Sequence, residues 1–157
     1  MKQIKGITIN TDASFYQEYQ VGGYAFWIKC DLFKIQKGGH LKSPILNSTE
    51  AEIKCIGNAI ATLLAQKELP TANFLIINTD AKFAINEIKH QQSLLGKQVH
   101  SLWQQLIFRL QTKKNEFRHV KAHSGKNDTR SYVNEWCDQE AKKWAKKQIK
   151  TQKQITI

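Results

Sequence analysis

Nowhere does the chain reach the ~20 consecutive apolar residues of a membrane-spanning helix, and Met1-Lys2-Gln3-Ile4 does not open the apolar stretch of a signal peptide. The expectation is a soluble, cytoplasmic protein with no membrane partner. Cys30, Cys55 and Cys137 are odd in number and form no Cys-x-x-Cys pair, which argues against a disulfide framework and against a zinc site. They read as reduced thiols. No internal repeat and no low-complexity segment breaks the chain, so 157 residues are expected to form one domain over residues 1–150, with 151–157 a disordered tail. Acid is also scarce: 13 Asp plus Glu face 24 Lys plus Arg, a net charge of +11. A surface so charged attracts polyanions, and nucleic acid is the expected partner. The excess is uneven, with 8 basic and 6 acidic side chains in residues 1–70 but 16 and 7 in residues 71–157.

Alternation of apolar and polar residues predicts a first strand over Ile4 to Asp12. Val21-Gly22-Gly23 reads as a turn, followed by strands over Tyr24 to Lys29 and Leu32 to Leu41 with a tight connection near Asp31. Asn47, Ser48 and Thr49 are good N-cap residues, and Ile53, Ile56, Ile60, Leu63 and Leu64 follow at helical spacing, the helix ending before Pro70. The continuous apolar run Phe74 to Ile77 predicts a central strand covered on both faces. A short helix over Ala81 to His90, a second with its stripe at Val99 to Leu110, a strand over Phe117 to Lys121 and a helix over Val133 to Ile149 complete the order. A meander followed by alternating units predicts an α/β fold with a five-stranded mixed sheet flanked by helices.

Asp12, Glu52, Asp80 and Asp138 each stand where a strand runs out or a helix begins. In open sheets the functional crevice lies beyond the C-terminal ends of parallel strands, where Asp12 and Asp80 both fall. Taken alone, Asp12 is a turn residue and Asp80 an N-cap. Together, the four acids have the hard oxygen ligands that a pair of divalent cations roughly 3.5–4 Å apart requires for phosphodiester cleavage. Glu50 competes with Glu52, but lies two residues away and faces a different direction. Trp103, Trp136 and Trp144 occupy apolar helical positions and are read as core.

Thr11-Asp12-Ala13-Ser14, Ala51-Glu52, Asn78-Thr79-Asp80, Val120-Lys121-Ala122-His123-Ser124-Gly125 and Asn134-Glu135-Trp136-Cys137-Asp138 stand in the order of the motifs of type 1 ribonuclease H, and the chain resembles that family over almost its whole length. The resemblance implies endonucleolytic cleavage of the RNA strand of RNA/DNA hybrids, giving 5′-phosphate and 3′-hydroxyl ends. It further implies two Mg2+ ions, Mn2+ substituting, held by Asp12, Glu52, Asp80 and Asp138, with His123 assisting proton transfer or turnover. A monomer with no obligate protein partner is expected. The residues expected against the substrate are Ser14, Gly22, Asn47, Ser48 and Lys82.

The chain departs from the family pattern in four places. Ala13 stands where Gly is usual, Lys82 where Gln is frequent, and Asn47-Ser48-Thr49 where an Asn pair is common. Gln91 to Gln98 is too short and too neutral for the basic protrusion of some members, leaving Lys142, Lys143, Lys146, Lys147 and Lys150 as the substitute basic surface. Two other readings stay open. One is another nuclease or strand-transfer enzyme of the same fold, the other a non-catalytic nucleic-acid-binding module.

Overall fold

The computed structural model describes residues 2–121 and 129–155. In chain order the elements are β1 (Gln3–Tyr16), β2 (Val21–Lys29), β3 (Lys34–His40), α1 (Ser48–Leu64), β4 (Thr71–Thr79), α2 (Lys82–Lys89), α3 (Leu94–Leu110), β5 (Lys114–His119) and α4 (Thr129–Ile155). They form one five-stranded sheet in the order β3-β2-β1-β4-β5, with β1, β2 and β3 antiparallel and β4 and β5 parallel to β1. This is the mixed sheet that the sequence predicts.

Strand parity explains how the sheet is covered. Ile7 and Ile9 of β1, Phe26 and Ile28 of β2, and Leu75 and Ile77 of β4 bury against Ile53, Ile56, Ile60 and Leu63 of α1, with Val99, Leu106 and Leu110 of α3 behind. The opposite parity of β2, Ala25 and Trp27, packs on Val133, Cys137 and Ala141 of α4. Strand β2 is therefore apolar at nearly every position because it is covered on both faces. Trp136 meets Trp27 edge to face at 5.5 Å between ring centroids and Trp103 meets Phe117 at 4.8 Å, so both pack against the core, yet they and Trp144 stay partly exposed at its edge instead of inside it.

Three boundaries differ from the sequence reading. β1 does not stop at Asp12: its parallel pairing with β4 ends at Asn10 opposite Asn78, but its antiparallel pairing with β2 continues to Tyr16 opposite Val21. The turn between β1 and β2 falls at 17–20, where Gln20 adopts φ 51°, and Gly22 and Gly23 belong to β2. Gly23 is glycine because α4 lies on it: a Cβ there would stand 2.0 Å from the Ala141 carbonyl oxygen and 2.6 Å from the Ala145 amide. Finally, α4 continues to Ile155, so residues 151–155 are helical where a tail was expected. Its end is held by Gln148 Nε2 donating to Ser43 Oγ at 3.4 Å and by Lys153 over the Tyr19 ring at 5.5 Å.

Candidate metal centre

The register of β1 and β4 builds the site. Asn10 and Asn78 are the last pair across the parallel step, joined by Asn78 Nδ2 donating to Asn10 Oδ1 at 3.0 Å. Asp12 and Asp80 each follow two residues later. Side chains two apart share a face of a strand, so the pairing that aligns the asparagines also aims both carboxylates into one space beyond the sheet ladder. Thr11 Oγ1 donating to the Asn78 carbonyl at 3.3 Å and the Ala81 amide donating to Thr79 Oγ1 at 3.1 Å fix the chain on either side.

Glu52 arrives from α1. Asn47 caps that helix, its Oδ1 accepting the Glu50 amide at 2.8 Å, while Glu50 turns outward to accept the Leu46 amide at 2.7 Å and to pair with Lys54. The next turn points inward, and Glu52 is only 8% exposed. Its Oε1 accepts the Ala13 amide at 3.2 Å, the same amide that reaches Asp12 Oδ1 at 2.9 Å. One backbone N–H thus holds two carboxylates together. Below them the Cys55 thiol donates to the Asp12 carbonyl at 3.2 Å.

Oxygens of Asp12, Glu52 and Asp80 lie within 4.8 Å of one another. Such proximity disfavours ionisation. Burial, then the charges of Asp80 and Asp138, push the Asp12 carboxyl up to about 8, against the partial relief of the Ala13 amide. Burial, then the charges of Asp12 and Asp80, raise Glu52 well above the usual carboxylate range. Glu52 Oε2 is buried without a hydrogen-bond partner. An acid cluster with hard oxygens and an unpartnered buried oxygen fits a divalent cation.

Asp138 approaches from the other face of the sheet, on α4. It acts on Asp12 through its charge but is not one of the three converging oxygens, and its Oδ2 accepts Lys142 Nζ at 3.0 Å. His123 lies outside the described residues. Of the residues expected against substrate, Ser14 is half-buried on β1 beyond Asp12, Ser48 is exposed at the start of α1, and Lys82 is exposed at the start of α2 beside Asp80. Asn47 is exposed but its Oδ1 is engaged as the helix cap. Gly22 is buried in β2, its carbonyl accepting the Leu41 amide at 2.8 Å and its Cα facing Leu41 and Ile45.

Motif reading does not single out the Ala13 amide, the Cys55 thiol or His119, whose Nε2 lies 3.1 Å from the Asp80 carbonyl oxygen. Lys142 follows Asp138 by four residues on a helix, and that spacing alone signals the pair. No curated protein matches the chain. The family model for RNase H matches residues 4–146, a span that takes in all five strands and the part of α4 that bears Asp138. On that match, the chain belongs to the RNase H family.

Proposed function

We propose that the protein hydrolyses the RNA strand of RNA/DNA hybrids internally, leaving 5′-phosphate and 3′-hydroxyl ends. The observation that carries the reading is the meeting of Asp12, Glu52 and Asp80, from β1, α1 and the end of β4, in a chain that matches the RNase H family. These three would hold divalent cations, Mg2+ in the cell with Mn2+ able to replace it, and Asp138 would complete the set from α4. Bound cations would supply Lewis acidity, both to activate a water and to offset charge on the leaving 3′-oxygen.

The protein's own part is to hold acids where they repel. The shared Ala13 amide and the Cys55 thiol fix Asp12 and Glu52 before any cation or substrate arrives, so little rearrangement is needed on binding. Ser14, Ser48 and Lys82 border the cluster on three elements and are proposed to contact sugar and phosphate; recognition of the 2′-hydroxyl and of groove shape makes sequence preference weak. His123, by its place in the Val120 to Gly125 motif, is the proposed proton carrier, with an unperturbed pKa of about 6.5 suited to both directions of transfer. All the residues named lie in one chain, and the reading needs no partner subunit.

The test is cleavage of an end-labelled RNA/DNA duplex in Mg2+ beside RNA/RNA, DNA/DNA and single-stranded controls, with an Asp80→Asn protein in parallel. Internal cutting of RNA in the hybrid alone, lost in Asp80→Asn, is the expected result. Salt-sensitive binding without cutting in Mg2+ or Mn2+ would overturn the catalytic reading in favour of a binding module.

A further inference from the structure

The lysines of α4 form a ridge that begins at the carboxylates and leads away from them. Val133, Cys137, Ala141 and Ala145 face the sheet, so at 3.6 residues per turn the opposite face carries Lys143, Lys146 and Lys150, flanked by Lys142 and Lys147. All five are exposed, and with Gln139 they line a shallow groove of about 450 Å³ that contains no carboxylate. The near end is fixed by Lys142 on Asp138, and the far end by Lys153 on Tyr19 in the turn after β1. The ridge thus lies at the end of the sheet toward which β1 carries Asp12.

The five ammonium groups are not all neutralised. Lys142 and Lys143 pair with Asp138 and Glu140, and Lys147 lies 4.6 Å over the Trp144 ring. Among the described residues, Lys146 and Lys150 have no carboxylate in ion-pair distance. Five like charges on one helix face repel one another at some cost to the helix. From Lys142 to Lys150, at ~1.5 Å per residue, the ridge is about 12 Å long, and a nucleic-acid duplex carries one charge per ~1.7 Å of axis. Its length matches about seven phosphates of a duplex running outward from the carboxylates, and its lysines can meet about five of them.

We infer that this face of α4 is a docking ridge for the phosphate backbone of the hybrid flanking the cleavage point. The inference rests on the nuclease reading for the identity of the duplex. It names Lys143, Lys146 and Lys150 as the centre of contact.

The test compares a Lys143→Gln, Lys146→Gln, Lys150→Gln triple variant with the wild type and with a Lys5→Gln, Lys67→Gln, Lys113→Gln control, which removes the same charge from the opposite end of the sheet. Binding of a hybrid of roughly 24 base pairs is followed by fluorescence anisotropy across salt concentrations. Loss of three phosphate contacts lowers the slope of log K against log salt by about 2.7, at ~0.9 per contact, which is about 40-fold between 50 and 200 mM salt. The expected result is that drop for the ridge variant and none for the control. Equal drops for both triples, or no drop, would overturn the ridge. Cleavage is read on the same samples: hybrid cutting with unchanged slopes removes the ridge and leaves the nuclease standing, whereas a ridge-dependent slope without cutting does the reverse.

Discussion

An Asp12→Asn substitution should make the cation-free protein more stable at pH 8 while abolishing cleavage. The amide keeps an oxygen for the Ala13 N–H, now 2.9 Å from Asp12 Oδ1, so the local geometry survives. What it removes is the conflict among acids. Asp12 titrates near 8 in the folded chain against 3.8 as its ordinary value. The folded chain therefore holds a proton that the unfolded chain releases, and between about pH 4 and pH 8 stability falls by up to about 1.4 kcal/mol per pH unit. Half-burial of Asp12 lets water screen part of this, leaving about 2–4 kcal/mol at pH 8. For 157 residues, unfolding entropy near 2.1 cal/mol/K per residue converts this to a Tm about 6–12 °C above wild type. Thermal melts by circular dichroism in a chelator, at pH 4.5 and pH 8, measure it: the gap should be near zero at the lower pH and full at the higher. Adding Mg2+ should then narrow the gap at pH 8, because a cation that binds only the folded wild type stabilises it by mass action. A gap that is absent or equal at both pH values would refute the electrostatic account. A pH-dependent gap that Mg2+ leaves unchanged would refute the cation site while preserving the acid conflict.

Gly23→Ala should destabilise by about 1–3 kcal/mol or more, since its Cβ would meet the α4 backbone at 2.0 Å, while Gly22→Ala, facing the movable Leu41 side chain at 3.1 Å, should cost much less; chemical denaturation of the pair measures the contrast. Asn47→Ala removes the α1 cap and should lower stability by about 1 kcal/mol, read as a Tm drop of about 2–4 °C. Lys142→Met should leave Tm nearly unchanged, because its pair with Asp138 is exposed, yet tighten Mn2+ binding by calorimetry about fivefold, a neighbouring unit charge in water being worth about 1 kcal/mol at ~4 Å. Unchanged or weaker Mn2+ binding would separate Lys142 from the acid cluster.

Asp12, Glu52 and Asp80 were legible because each interrupts an apolar pattern: the apolar alternation of β1 ends at Asp12 though the strand runs on, Asp80 follows β4, and Glu52 precedes the apolar stripe of α1. Asp138 lies well inside α4 rather than where an element begins. Gly22-Gly23 was misread because a turn and a close helix approach call for the same residue, and only the fold shows α4 lying against Gly23. The overrun of β1 past Asp12 follows from pairing with β2 alone, a partner that no local pattern announces. The last turns of α4 lack an apolar stripe. They stay helical through contacts with Ser43 and Tyr19, more than a hundred residues away in sequence.

Beyond Lys142, which pairs with Asp138 and feels Asp12, distance and screening hold the lysines of α4 apart from the acid cluster. The causes that move Asp12 are its own burial, two acids, one amide and one carboxyl, while the field between Asp12 and Lys142 shows on the lysine, whose pKa is raised first by Asp138 and also by Asp12. At physiological salt the Debye length is about 8 Å, so exposed lysines along α4 are largely screened from carboxylates at the sheet end. Lys142, the lysine in contact with a member of the set, is bound to Asp138 rather than to the three converging acids. Protons in the isolated chain, or cations of high charge density, relieve the repulsion among the converging acids. The lysines remain available to a polyanion that brings its own charge. Acid at the end of a sheet and base along an outer helix face are then two halves of one arrangement, the first acting on a single phosphate and the second on its neighbours.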